Sequence, residues 1–188
     1  IGYRYFIAYY PVRIYSNSLQ SVADSMYYSF ADSTFRFYKN PVMWMGINEL
    51  VGDTIKLLTK NQKANQLQLL QNAIIVNKVS DNFFNQIKGT TIYGYFKDDQ
   101  LSWMHVNGNA ESIYYATDDN GKFIGVHKAA CAVIDLYLEN KQLNKVVFRD
   151  HPETTLDPIQ HINPRDYLLK NFKWEADRRP KSKYELMQ

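Results

Sequence analysis

The sequence predicts an all-β protein, an antiparallel arrangement of roughly ten to fourteen strands joined mostly by hairpins. Three observations predict it. A short unit recurs along the chain, a polar turn follows each copy, and apolar and polar side chains alternate with period two. Alternation of that kind places one row of side chains on each face of a strand.

The recurring unit is a small residue, usually an acidic one, then Ser or Thr, then Ile or Met. Copies begin at Ala23 (ADSMYY), Gly52 (GDTIKL), Gly89 (GTTIYG) and Ala110 (AESIYY), with a degenerate fifth at Ala130 (ACAVIDLY). Asp24 and Asp53 are 29 residues apart, and Glu111 lies a further 58 along, twice that spacing. Each copy leads into a polar break (FADS, TKNQKAN, KDDQ, TDDNGK, NKQ) and then a second apolar stretch. Asn, Asp and Gly suit such breaks because they tolerate positive φ. The stretch from Val51 to Val76 has a Leu-, Gln-, Lys- and Asn-rich middle whose propensity also permits a helix. The repeat reads it instead as a strand over 53–58, a turn over 59–65 and a strand or two over 66–76, since propensity alone is a weak guide. A short helix is expected only at 165–172, after Pro164, a residue suited to a first helical turn. Residues 1–150 then form one β domain, and 151–188, marked by Pro152, Pro158, Pro164 and Pro180, a less regular extension.

With 188 residues, 45% of them apolar, the chain is long enough for one substantial core. The net charge of +3 is carried by residues 163–188, which hold seven Lys/Arg against four Asp/Glu, while the first 162 residues balance. A neutral body argues against nucleic acid as a partner. No apolar run is long enough to span a membrane as a helix. No basic-then-apolar signal sequence precedes IGYRYFIAYY, which already reads as a strand, so the chain is expected to be a mature or trimmed one.

Several stretches carry a resemblance. LQSVADSMYYSFADSTFRFYKNPVMW, ELVGDTIKLL, NQIKGTTIYGYF and VNGNAESIYY, with the closing LLKNFKWEADRRP, resemble the OstA-like proteins of Bacteroidetes-type bacteria over about residues 12–180. The resemblance implies an OstA-like β-jellyroll, a folded-over sheet whose interior holds the acyl chains of lipopolysaccharide. It also implies a periplasmic role in lipopolysaccharide transport and outer-membrane biogenesis within the cell envelope. The implied partners are lipopolysaccharide or a related acylated lipid, and other transport proteins docked through edge strands. It brings no catalytic motif and no cofactor. Open sheet edges also allow head-to-tail self-association.

Alternation supplies the candidate lining of that interior. Met26 shares a face with Tyr28, Phe35 with Phe37, Val42 with Trp44, Ile55 with Leu57, Leu67 with Leu69, and Ile113 with Tyr115; Ile92 holds the matching place in the third copy. Arg36, Lys56, Gln66 and Gln68 alternate with them and should face water. The bulky Trp44, Trp103 and Phe123 are expected to fill or gate the slot. The same alternation also suits a plain filled core. Two other functions therefore stay open: a scaffold acting through its sheet edges, and a carbohydrate-binding sandwich using exposed Tyr and Trp.

Other candidate sites carry less. Asp24, Asp53 and Glu111 share one repeat position, which suits either cation or sugar binding or the capping of a turn where each strand begins. His105, His127, His151 and His161 show no metal-ligand spacing. Cys131 sits in an apolar run and reads as a small buried hydrophobe. No nucleophile elbow, phosphate loop or carboxylate pair stands out, so no enzyme activity is expected.

Overall fold

The recurring units fall where strands form. The computed structural model describes residues 4–98, 100–140 and 142–187. Among them twelve strands make one antiparallel sheet. They are β1 (Tyr5–Tyr15), β2 (Leu19–Ser29), β3 (Thr34–Tyr38), β4 (Val42–Met45), β5 (Asn48–Val51), β6 (Thr54–Lys60), β7 (Lys63–Lys78), β8 (Phe84–Lys97), β9 (Gln100–Thr117), β10 (Phe123–Glu139), β11 (Gln142–Arg149) and β12 (Glu153–Pro158).

A single crease crosses this sheet, and it is what the repeat encodes. Register shifts interrupt β1 between Tyr9 and Val12, β7 between Leu70 and Ala73, β8 between Lys88 and Thr91, and β10 between Cys131 and Val133. At the same level two strand pairs break in the chain itself, β3 from β4 at Lys39–Asn40 and β11 from β12 at Asp150–His151, all four with positive φ. Backbone bonds stitch the level together: Asp24 N–H to the Lys39 carbonyl (3.2 Å) and Asp53 N–H to the Gln71 carbonyl (3.0 Å). Bulges bend a strand and sharpen its twist. Aligned across neighbours, they fold the sheet. At Gly108 the backbone takes φ +80°, and a Cβ there would lie 2.6 Å from Thr90 Oγ1. Pro11, which has no N–H to give a ladder, sits in the β1 interruption.

On one side of the crease lies leaf A, in the order β1, β2, β3, β6, β7, β8, β9, β10, β11. On the other lies leaf B, in the order β1, β2, β4, β5, β7, β8, β9, β10, β12. Strand β2 forks between β3 and β4, and the two branches rejoin on β7. The free edges are β1 at one end and β11 with β12 at the other.

Leaf B is covered on both faces. Its outer face carries Ile74, Val76, Ile113, Tyr115 and Val126, packed with residues 159–174 of the C-terminal segment, Leu169 deepest, and beside them a smaller cluster of Val22, Val42 and Trp44. Three buried polar side chains grip that segment. Gln86 donates to the Tyr167 carbonyl and accepts from Leu169 N–H, both at 2.9 Å. Glu49 accepts from Glu175 N–H at 2.9 Å and from the Trp44 indole at 3.0 Å. Gln20 accepts from Arg179 Nε at 2.9 Å.

Three expectations are corrected. The turn expected over 59–65 tightens to Asn61–Gln62, both at positive φ, so β6 and β7 extend towards each other. The helix expected over 165–172 is a single 3-10 turn at Pro164–Tyr167, capped by the Asn163 side chain. It stops because Gln86 takes the backbone groups of Tyr167 and Leu169 that a helix would use. Residues 151–158 are not irregular, since β12 pairs with β10 from Glu153 to Pro158. The turns expected at KDDQ and NKQ include Asp99 and Lys141, which lie outside the described residues, as do residues 1–3 of the opening strand.

Candidate functional site

Between the leaves runs one apolar interior. Leaf A contributes Met26, Phe37, Ile55, Leu57, Leu67, Leu69, Ile92, Val106 and Ile134, and leaf B contributes Val12, Met43, Leu50, Ala73, Ile75 and Ile87. Each side chain is placed by its strand. Ile55 pairs across from Leu69 and Phe37, and Leu69 in turn from Ile92, giving an unbroken row Phe37–Ile55–Leu69–Ile92–Val106–Ile134 over six strands. That row is 0–1% exposed. Half-buried apolar side chains rim it, among them Ile14, Phe35, Phe96, Met104, Val146 and Phe148.

The sequence-derived lining divides accordingly. Met26, Phe35, Phe37, Ile55, Leu57, Leu67, Leu69 and Ile92 meet in this interior. Val42, Trp44 and Ile113 do not: they point out of the opposite face of leaf B, Ile113 beneath the C-terminal segment. None of the expected gates stands in the interior. Trp103 lies on the outer face of leaf A, stacked on Tyr95 at 4.5 Å, and Phe123 packs with Phe83 and Tyr115 on the outer face of leaf B. Alternation alone missed Ile75, Val106 and Ile134. Ile75 is hidden in the all-apolar run Ala73–Val76, and Ile134 follows the β10 bulge, which resets the phase of the alternation.

Outside leaf A the surface is polar, with Arg36, Lys56, Gln66 and Gln68 all half-exposed. Asp135 is buried there and receives Trp103 Nε1 (3.2 Å), His105 Nδ1 (2.8 Å) and Arg149 Nε (2.8 Å). Burial pushes its carboxyl up, but those hydrogen bonds outweigh burial and hold it below the ordinary carboxylate value. Asp24, Asp53 and Glu111 do not form a shared site. Asp53 accepts from Asn72 at 3.0 Å and Glu111 pairs with Lys88 at 2.6 Å, on strands held apart by others. Each marks the crease. Cys131 is half-buried beside the β10 bulge, its thiol donating to the Val133 carbonyl. Among the described residues no group of three or more His, Cys, Asp or Glu is placed to hold a metal.

A solved structure shares the fold. The crystal structure of LptH from Pseudomonas aeruginosa, described as the LptA-homologous periplasmic component of the lipopolysaccharide transport device, superposes with a TM-score of 0.55 at 14% identity. The fold is the OstA-like β-jellyroll. The match covers 74% of this chain and 95% of LptH, so this jellyroll spans nearly the whole of that protein. No family model matches the sequence, and no curated protein is a significant match.

Proposed function

We propose that this protein is a periplasmic component of lipopolysaccharide transport that holds acyl chains between leaves A and B, without catalysis. The carrying observation is the row Phe37–Ile55–Leu69–Ile92–Val106–Ile134, an uninterrupted apolar track running across six paired strands. The shared fold with a periplasmic transport component supports the same reading.

The protein's own side chains close this interior, so a guest enters by parting the leaves. Burying an acyl chain gains about 0.8 kcal/mol per CH₂, so about ten methylenes gain roughly 8 kcal/mol. That matches the whole stability of a typical domain, about 5–15 kcal/mol. A guest of this kind therefore has the driving force to replace leaf-to-leaf contacts. Entry falls at the half-buried rim, where Phe96, Met104, Val146 and Phe148 already meet solvent. The free edges at β1 and at β11 with β12 provide backbone for neighbouring transport proteins or further copies to add strands.

The test is retention of lipid by the purified protein. Native mass spectrometry after incubation with lipopolysaccharide should show a bound complex, and the deacylated saccharide should neither bind in its place nor displace it. Equal binding of the deacylated molecule would place recognition outside the interior and sink the proposal.

A further inference from the structure

A second concave feature lies on the outer face of leaf B, where β10 and β12 meet the C-terminal segment. It is a cleft of about 500 Å³, within the range of small-molecule sites. One wall is fixed at both ends. Tyr167 is pinned at its carbonyl by the buried Gln86 and at its hydroxyl, which donates to Asp157 Oδ2 at 2.7 Å. That bond, first, then burial, pushes the Tyr167 hydroxyl up to about 12, so it stays a protonated donor. Around this wall stand Lys128, Glu153, His161, Asn163 and Asp166. Among the described residues, the ammonium of Lys128 and the carboxylates of Glu153 and Asp166 make no hydrogen bond or ion pair. Polar groups left free around a rigid aromatic wall define what fits.

The charges select the class. Glu153, Asp157 and Asp166 outnumber Lys128, so a phosphate or carboxylate ligand meets net repulsion. The carboxylates are not grouped closely enough to hold one metal ion. What remains is a molecule that is uncharged and rich in hydroxyls, which donates to carboxylates, accepts from Lys128 and Asn163, and lays its C–H face on Tyr167 and Ile162. We propose that this cleft binds a saccharide free of anionic groups. The proposal is independent of the acyl-chain reading, because the cleft lies on the far side of leaf B from the interior.

Two-dimensional ¹H–¹⁵N NMR of the full chain titrated with maltose, lactose, glucose 1-phosphate and Mg²⁺ tests it, with no acyl chain present. At least one disaccharide should give saturable millimolar shifts confined to amides around Thr155, Asp157, Asn163 and Tyr167, with glucose 1-phosphate about tenfold weaker or more. Both Glu153 and Asp166 are exposed, so the Glu153→Ala/Asp166→Ala variant keeps its melting temperature and should lose about tenfold in affinity. Absence of disaccharide shifts in the cleft would overturn the proposal. So would glucose 1-phosphate binding as well as the sugars, saturable Mg²⁺ binding at these amides, or an unchanged double variant.

Discussion

Glu49 and Asp135 are both buried carboxyls, and their surroundings push them in opposite directions. Burial, countered only in part by the Glu175 N–H and the Trp44 indole, pushes Glu49 above its ordinary value of 4.5. Folding therefore favours its neutral form. Its contribution is full below pH 4.5 and is lost as pH rises through the raised folded value. Glu49→Gln keeps the acceptor without the charge, so chemical denaturation of this variant should show a flatter stability curve over that window. Asp135 is the reverse case, held below its ordinary 3.8 by His105, Trp103 and Arg149 against burial. Its contribution is present above pH 3.8 and lost as pH falls through the depressed folded value. Asp135→Asn should flatten the acid limb and cost about 2 kcal/mol at neutral pH, less than a fully buried pair because Arg149 is half in water. Neither partnership is legible in the sequence, since Glu49 meets Glu175 and Asp135 meets His105 only after folding.

At the scale of elements, the crease and the C-terminal segment are the two devices that shape the sheet. The units are legible as β structure but the crease is not: the repeat reads their small or acidic heads as points where strands begin, which holds at Asp53 before β6, whereas Asp24 and Glu111 lie inside β2 and β9, where the sheet bends. Gly108→Ala forces a side chain to φ +80° against Thr90, and thermal melts should show a loss on the order of 1–3 kcal/mol. The C-terminal segment was not legible as a cover. Its anchor Leu169 meets Gln86, 83 residues earlier, and no periodicity links them. Removing that anchor, Leu169→Ala, should cost about 2–5 kcal/mol and raise binding of a dye that reports apolar surface. Unchanged dye binding would mean that this segment does not seal leaf B.

Across the whole molecule the leaves differ in kind, and the difference explains which lining residues the sequence identified. Leaf A has one wet face and one dry face, so alternation picks the inner residues directly: Phe37, Ile55, Leu57, Leu67, Leu69, Ile92. Leaf B is dry on both faces, so β4 reads Val-Met-Trp-Met with no polar residue to set the phase. Alternation therefore puts Val42 and Trp44 on the side opposite to the one they occupy and leaves out Met43, which packs in the interior. The same asymmetry bears on function. Leaf B is clamped to the C-terminal segment by Gln20, Glu49 and Gln86, while the outer face of leaf A carries the half-exposed Arg36, Lys56, Gln66 and Gln68, so hydrogen exchange should find leaf A amides opening first when lipid is added. The most direct measurement places a photoreactive residue at Phe37, Leu69 or Ile92, facing inward, and at Arg36, Gln68 or Tyr93, facing outward, then irradiates with lipopolysaccharide. Adducts from the three inward positions and none from the outward three are the result expected of an acyl chain held between the leaves. Inward positions that stay unlabelled, while matched interior positions of LptH react alongside, would contradict it.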